Sequence, residues 1–138
     1  MASIYKEFVV EADIQQVWDA LRDFGALHQR LAPGFITACV MEGDVRAIRF
    51  ANGMSAREQL LGIHEAAHRL SYTVLGGMAS YHHASAQLFE LGPGRTRFVW
   101  ITDVLPDALA GPIGAMMEQG GAAMKAALAS ATAPERAT

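Results

Sequence analysis

Apolar and polar residues alternate near the start of the chain, in "SIYKEFVVEA" at positions 3–12. This alternation predicts a β-strand, because successive side chains of a strand point to opposite faces. Asp13 then offers a helix N-cap. Apolar residues recur at helical spacing in the following "IQQVWDALRDF", which predicts an amphipathic helix. "ALHQRL" at 26–31 predicts a second short helix, ended by Pro33-Gly34.

Short turn motifs divide the middle of the chain into β-type runs. "GD" at 43–44 and "NG" at 52–53 are typical of hairpins, and "GG" at 76–77 and "GPG" at 92–94 make further breaks. About seven strands joined in sequence by short turns indicate an antiparallel meander. After Pro106 the pattern changes to a helical stripe, made of Ile113, Met116, Met117, Gly120, Met124 and Leu128.

The predicted fold class is therefore α+β, with one antiparallel sheet and a long C-terminal helix. The apolar face of such a sheet must be covered, and the final helix is the candidate cover. That helix carries Gly111, Gly114, Gly120 and Gly121. Either it packs closely on the sheet or it leaves a cavity. Without repeats or a linker, we expect a single domain at residues 1–130 and a disordered tail at residues 131–138.

Composition narrows the function classes. The 138 residues are 51% hydrophobic and carry a net charge of −3, which argues against nucleic acid as a partner. The single cysteine, Cys39, excludes an internal disulfide. We find neither a signal peptide nor a membrane-spanning stretch, so a cytoplasmic protein without membrane insertion is expected. A P-loop and a dinucleotide fingerprint are also missing, so no cofactor is predicted.

One short motif suggests a metal. His64-Glu65-Ala66-Ala67-His68 matches H-E-x-x-H, the pattern of zinc metalloproteases. That pattern requires a helix, which places both histidines on one face. Here the flanking runs "REQLLGI" and "RLSYTVL" are β-type, so we place the five residues in a hairpin turn and predict no metal site.

Four segments in order carry a family resemblance: "VWDALRDFGALHQRLAPG", "GMSAREQLLGIHEAAHRLSYTVLGG", "SYHHASAQLFEL" and "RTRFVWITDVLP". Together they resemble the START/Bet v 1-like helix-grip superfamily (SRPBCC), and most closely its bacterial polyketide cyclase/dehydrase and lipid transport group. The resemblance implies a curved antiparallel sheet, two short helices after strand 1 and a long C-terminal helix over a cavity. Members of the superfamily bind lipids, hormones or polyketides, and some catalyse cyclisation, dehydration or condensation.

The central hairpin also resembles that of the plant abscisic-acid receptors. Their Ser-Gly-Leu-Pro-Ala gate is replaced here by "ANGMS" at 51–55, and their latch is shortened to "MAS" at 78–80. Hormone reception by the receptor mechanism is therefore not expected.

Strand alternation and the resemblance together predict the cavity wall. Alternation turns Tyr72, Val74, Phe98 and Trp100 inward. The resemblance adds Glu58, Leu60, Tyr81 and His83. From the helical stripe, Met116 and Gly120 are expected on the helix above. For the strand at 80–91 a second inward face, made of Ala84, Ala86 and Leu88, is left open.

We expect this cavity to bind a hydrophobic small molecule of lipid, polyketide or aromatic type. The alternative is a cyclase, dehydratase or isomerase in which Glu58, with His83 or a tyrosine, supplies general acid–base catalysis. A structural explanation for Glu58 is an ion pair with an arginine on an adjacent strand. The identity of the ligand and the presence of a homodimer stay open.

Overall fold

Seven strands form one antiparallel sheet in the order β1-β7-β6-β5-β4-β3-β2 in the computed structural model, which describes residues 1–132, with side chains through residue 129. The meander predicted from the turn motifs runs from β2 to β7, and β1 pairs with β7. The strands are β1 Ala2–Val10, β2 Ile36–Glu42, β3 Val45–Phe50, β4 Ser55–His64, β5 Arg69–Leu75, β6 Tyr81–Gly92 and β7 Arg95–Leu105.

Helical segments lie before and after this meander. Helix α1 spans Ile14–Arg22 and helix α2 spans Ala110–Thr132. The second short helix predicted at 26–31 is a π-helical turn at Leu27–Leu31, preceded by a 3₁₀ turn at Phe24–Ala26. Of the predicted tail, residues 131 and 132 belong to α2, while residues 133–138 lie outside the described part of the chain.

Asp13 precedes α1, as predicted, but its side chain does not cap the helix. Its carboxylate instead accepts a hydrogen bond of 2.7 Å from the backbone N–H of Gly94, in the turn between β6 and β7. The residue therefore fixes the start of α1 to the sheet instead of satisfying the first turn of the helix.

The His64–His68 motif forms the turn between β4 and β5, as predicted, and its polar groups are used locally. The Nδ1 atom of His64 accepts a hydrogen bond from the N–H of Ala67 at 3.1 Å. The Glu65 carboxylate accepts a 2.7 Å bond from the buried Trp18 indole and further bonds from Arg22. The turn thus holds α1 across one end of the sheet. Within residues 1–132, no group of three or more potential metal ligands is found.

Helix α2 packs closely on the sheet at two of its glycines. A Cβ at Gly120 would lie 3.1 Å from the Phe35 ring and 3.3 Å from Trp100, and a Cβ at Gly121 would lie 3.1 Å from Phe8. Close helix–sheet packing therefore explains these two glycines. In the part of the chain described, no helix is long and apolar enough to cross a membrane.

Candidate ligand cavity

A cavity of about 360 Å³ lies between the inner face of the sheet and helix α2. Its wall is made almost entirely of apolar side chains, with polar groups confined to a few positions. Rings and aliphatic groups come from the sheet and from the segment before β2, including Leu27, Leu31, Phe35, Ile48, Phe50, Ala56, Leu70, Ala86 and Phe98. The cavity exists although Gly120 and Gly121 are closely packed, so both explanations for the glycine-rich helix hold, in different parts of α2.

Methionines form another large part of the cavity wall. Five of the seven methionines in the sequence line the cavity: Met54, Met78, Met116, Met117 and Met124. Met54 and Met78 belong to the β3–β4 and β5–β6 connections and are 58% and 83% exposed, so they lie at the mouth. Flexible thioether side chains can adapt to ligands of different outline and make favourable contacts with aromatic rings.

Six of the residues predicted from the sequence lie in the cavity wall: Glu58, Tyr72, Val74, Phe98, Trp100 and Met116. Strands β5 and β7 present the inward faces that their alternation indicated. Gly120 is not part of the wall, but it contacts two wall residues, Phe35 and Trp100. Leu60 packs against the hydrophobic core next to a β-bulge and does not line the cavity.

Strand β6 differs from the prediction by one residue. His83 and Tyr81 do not line the cavity, whereas His82 does. The side chains of Ala84, Ala86 and Leu88 are buried on the same face as His82, and Tyr81 is 45% exposed. Because a strand alternates, burial of these three apolar side chains turns His82 inward and His83 outward. The resemblance favoured the wrong face of this strand, and the open alternative is the correct one.

Glu58 forms a buried ion pair with Arg46. The Nε and Nη2 atoms of Arg46 both lie 2.8 Å from Oε1 of Glu58. Arg46 also donates a 3.2 Å bond from Nη1 to the carbonyl of Phe24, and its guanidinium lies 3.7 Å from the centre of the Phe24 ring. The arginine is therefore held by a carboxylate, a carbonyl and an aromatic face at once.

The ion pair matches the structural explanation expected for Glu58, an arginine on an adjacent strand, although the sequence reasoning did not identify this arginine as Arg46. Arg46 and Glu58 are direct partners in the β3–β4 ladder. Each lies six positions from Asn52, the first residue of the "NG" turn. Residues 51–53 form a three-residue loop, closed by a bond from the Phe50 N–H to the Met54 carbonyl, and counting outward from its centre at Asn52 places the arginine opposite the glutamate. A two-residue "NG" turn would instead have paired Arg46 with Gln59.

Tyr72 and Trp100 form a second polar contact in the wall. The indole Nε1–H of Trp100 donates to the Tyr72 hydroxyl at 3.1 Å. Burial, reinforced by the negative charge of Glu58, raises the pKa of the Tyr72 hydroxyl, so it keeps its hydrogen at neutral pH. No group within residues 1–132 accepts that hydrogen.

His82 is held in one tautomer. The backbone N–H of Val74 donates to its Nδ1 at 3.1 Å, so in the neutral ring Nε2 carries the hydrogen. Burial lowers the pKa of His82, against the opposing effect of the Glu58 charge, and this favours the neutral ring. The centres of the His82 and Tyr72 rings are 6.2 Å apart.

The sequence matches one family model, described as "Polyketide cyclase / dehydrase and lipid transport", over residues 1–133. Among functionally curated proteins, none shows detectable sequence similarity.

Solved structures extend the comparison to the fold. A START superfamily protein from Mycobacterium smegmatis superimposes with a TM-score of 0.78 at 16% identity, covering 94% of this chain and 99% of that one. An aromatase/cyclase from a Streptomyces species gives 0.69 at 17% identity, with 94% and 92% covered. Norcoclaurine synthase from a Thalictrum plant gives 0.66 at 17% identity, with 94% and 95% covered. At these identities the likeness establishes the helix-grip fold.

Proposed function

Because the chain belongs to the polyketide cyclase/dehydrase and lipid transport family, we propose that it binds a compact hydrophobic small molecule in the cavity beneath α2. The observation that carries this proposal is the cavity itself. Its wall is apolar and aromatic with a few polar groups, the usual composition of a small-molecule site. The neighbouring structures include a START superfamily protein and an aromatase/cyclase, whose names agree with a ligand of this kind.

The volume limits the size of the ligand. Small-molecule sites span about 300–1,000 Å³, so 360 Å³ lies near the lower end. An engineered apolar cavity of about 150 Å³ accommodates benzene. A ligand of two fused rings therefore suits this cavity better than a two-chain lipid does.

Naphthalene is a suitable probe, because its binding can be followed at a tryptophan. Trp100 lies in the cavity wall and reports on the ligand, whereas Trp18 does not line the cavity and serves as the internal reference. Protein NMR titration should show a large, saturable shift of the Trp100 indole N–H signal and little change at Trp18. Val74→Trp should weaken the binding, because Val74 lies in the wall and the larger ring occupies part of the cavity.

Leu75→Trp is the matched control, since Leu75 is the next residue of β5 and points to the outer face of the sheet. Naphthalene should bind this variant as it binds the parent protein. Absence of binding to the parent protein, or equal binding by the Val74→Trp and Leu75→Trp variants, would overturn the proposal.

A cyclase or dehydratase is the second candidate, because a carboxylate, a phenol and an imidazole share one wall. Glu58 is retained as the acid–base residue, Tyr72 is the tyrosine, and His82 replaces His83. Turnover of a polyketide substrate should collapse in Glu58→Gln while binding persists, and it should be unaffected by Glu42→Gln in an exposed ion pair. Equal turnover by the Glu58→Gln variant and the parent enzyme would exclude this role.

A further inference from the structure

The polar groups of the cavity wall restrict the chemistry of the ligand that the proposed function requires. The wall contains one arginine, Arg46, and one glutamate, Glu58, and these two neutralise each other across a 2.8 Å contact. A charged ligand would lose its hydration on entering the cavity and would find no unpaired charge of opposite sign on Arg46 or Glu58. Burial of a charge without a partner of opposite charge is strongly unfavourable. The pairing of Arg46 with Glu58 therefore favours a ligand that is neutral at its buried end.

Tyr72 and His82, on the neighbouring strands β5 and β6, each keep one hydrogen-bond donor for a ligand. The Tyr72 hydroxyl uses its oxygen to accept from Trp100, and its hydrogen is free to donate to a ligand. His82 uses Nδ1 to accept from Val74, so Nε2–H is its free group. Both free groups are donors in the neutral state, and their rings lie 6.2 Å apart, centre to centre. An apolar ligand would leave both donors unsatisfied, which is costly in a desolvated site.

We infer that the ligand is a neutral, ring-containing molecule with a carbonyl or comparable oxygen acceptor, which the Tyr72 hydroxyl and the His82 Nε2–H bind from the β5–β6 side of the cavity. Tyr72 and His82 thus determine specificity, while the methionines and aromatic rings accommodate the hydrocarbon part. This inference rests on the proposed function, since it specifies the ligand of the same cavity.

Three naphthalenes of similar size test the inference: 2-acetonaphthone, which has a neutral carbonyl; 2-ethylnaphthalene, which has no acceptor; and 2-naphthoate, which is an anion. Affinities come from NMR titration of the Trp100 indole signal. We expect 2-acetonaphthone to bind about five- to tenfold more tightly than 2-ethylnaphthalene, the gain of one or two hydrogen bonds. We expect 2-naphthoate to bind more weakly than the ketone.

Two variants assign the preference to the named donors. Tyr72→Phe removes the hydroxyl and keeps the ring. His82→Asn keeps an acceptor near the position of Nδ1 for the Val74 N–H and loses the Nε2 donor. Each should reduce the preference for the ketone about three- to fivefold, while the affinity for 2-ethylnaphthalene changes less than twofold. Tyr81→Phe and His83→Asn make the same changes at residues of β6 that do not line the cavity, so these controls should keep the preference.

The outcomes separate the two proposals. If none of the three compounds binds, the proposed function fails. If 2-ethylnaphthalene and 2-acetonaphthone bind equally well, the cavity binds apolar ligands but the inference about the acceptor is wrong. Tighter binding of 2-naphthoate would likewise overturn it. If one variant does not fold, as judged by its NMR spectrum, the other still tests the assignment, and the ligand comparison on the parent protein tests the chemistry.

Discussion

Replacement of Glu58 by leucine removes one half of a buried ion pair. Arg46 is 5% exposed and Glu58 8% exposed, so neither charge is well solvated. Without the carboxylate, the guanidinium keeps its contacts with the carbonyl and the ring of Phe24 but has no counter-charge. The variant therefore buries an uncompensated positive charge beside an apolar cavity.

Loss of one partner of a buried pair destabilises a protein by about 3–5 kcal/mol. The free energy of unfolding of an ordinary domain is about 5–15 kcal/mol, so this loss is a large fraction of the total stability. For a chain of this length the melting temperature should fall by roughly 10–25 °C. Arg46→Met combined with Glu58→Leu removes both charges. It should restore all but about 1–2 kcal/mol, because only the Phe24 contacts are then missing.

Urea denaturation followed by circular dichroism measures the four free energies of unfolding in this cycle. The control is Glu42→Leu, in the Arg57–Glu42 pair, whose side chains are more than half exposed. That change should cost no more than about 1 kcal/mol. The reasoning is refuted if Glu58→Leu costs no more than Glu42→Leu, or if the two single changes simply add up to the double change.

Three further predictions concern other parts of the fold. Hydrogen bonds from Trp18 and then from Arg22 lower the pKa of Glu65, so its contribution to stability is present above the ordinary carboxyl range and is lost as the pH falls through the lowered value. The difference in melting temperature between the parent protein and Glu65→Gln should therefore narrow below about pH 4, and a constant difference would contradict this. His82 should titrate by NMR below the usual value of about 6.5, with Nε2 protonated in the neutral ring, because burial lowers its pKa. The contribution of His82 to stability is complete above about pH 6.5 and declines as the pH falls towards the pKa of His82 in the folded protein. In His82→Asn this decline should be missing. In α2, Gly114→Ala should raise the free energy of unfolding by about 0.5–1 kcal/mol, since its Cβ meets only ordinary contact at 3.7 Å, whereas Gly120→Leu should lower it because Phe35 and Trp100 lie within 3.4 Å of the Cβ position. Equal effects of the two glycine substitutions in urea denaturation would show that α2 is not closely packed at Gly120.

Much of the scaffold follows from local pattern. The "GD", "NG" and "GPG" motifs coincide with the turns after β2, β3 and β6. On β5 and β7 the alternation has one clearly polar face, with Arg69 and Arg97 opposite Tyr72 and Phe98, so the inward side chains could be identified from the sequence. The family resemblance supplied the helix-grip arrangement that joins these pieces.

Strand β6 shows where local pattern is insufficient. Its residues His82 and His83 are chemically alike, and both of its faces contain small side chains, so alternation alone does not choose between them. The choice is made by burial of Ala84, Ala86 and Leu88 against the core. This burial depends on strands and helices that are distant in the sequence.

The ion pair and the cavity depend on long-range packing in the same way. Glu58 was found as a candidate, but its partner Arg46 is defined by the register between β3 and β4. The tautomer of His82 is set by the backbone of Val74 on the neighbouring strand. Side-chain periodicity is a property of a few consecutive residues, and it can therefore be read from the chain directly. The residue that stands opposite, and the volume that α2 leaves open, result from the register and packing of the whole sheet.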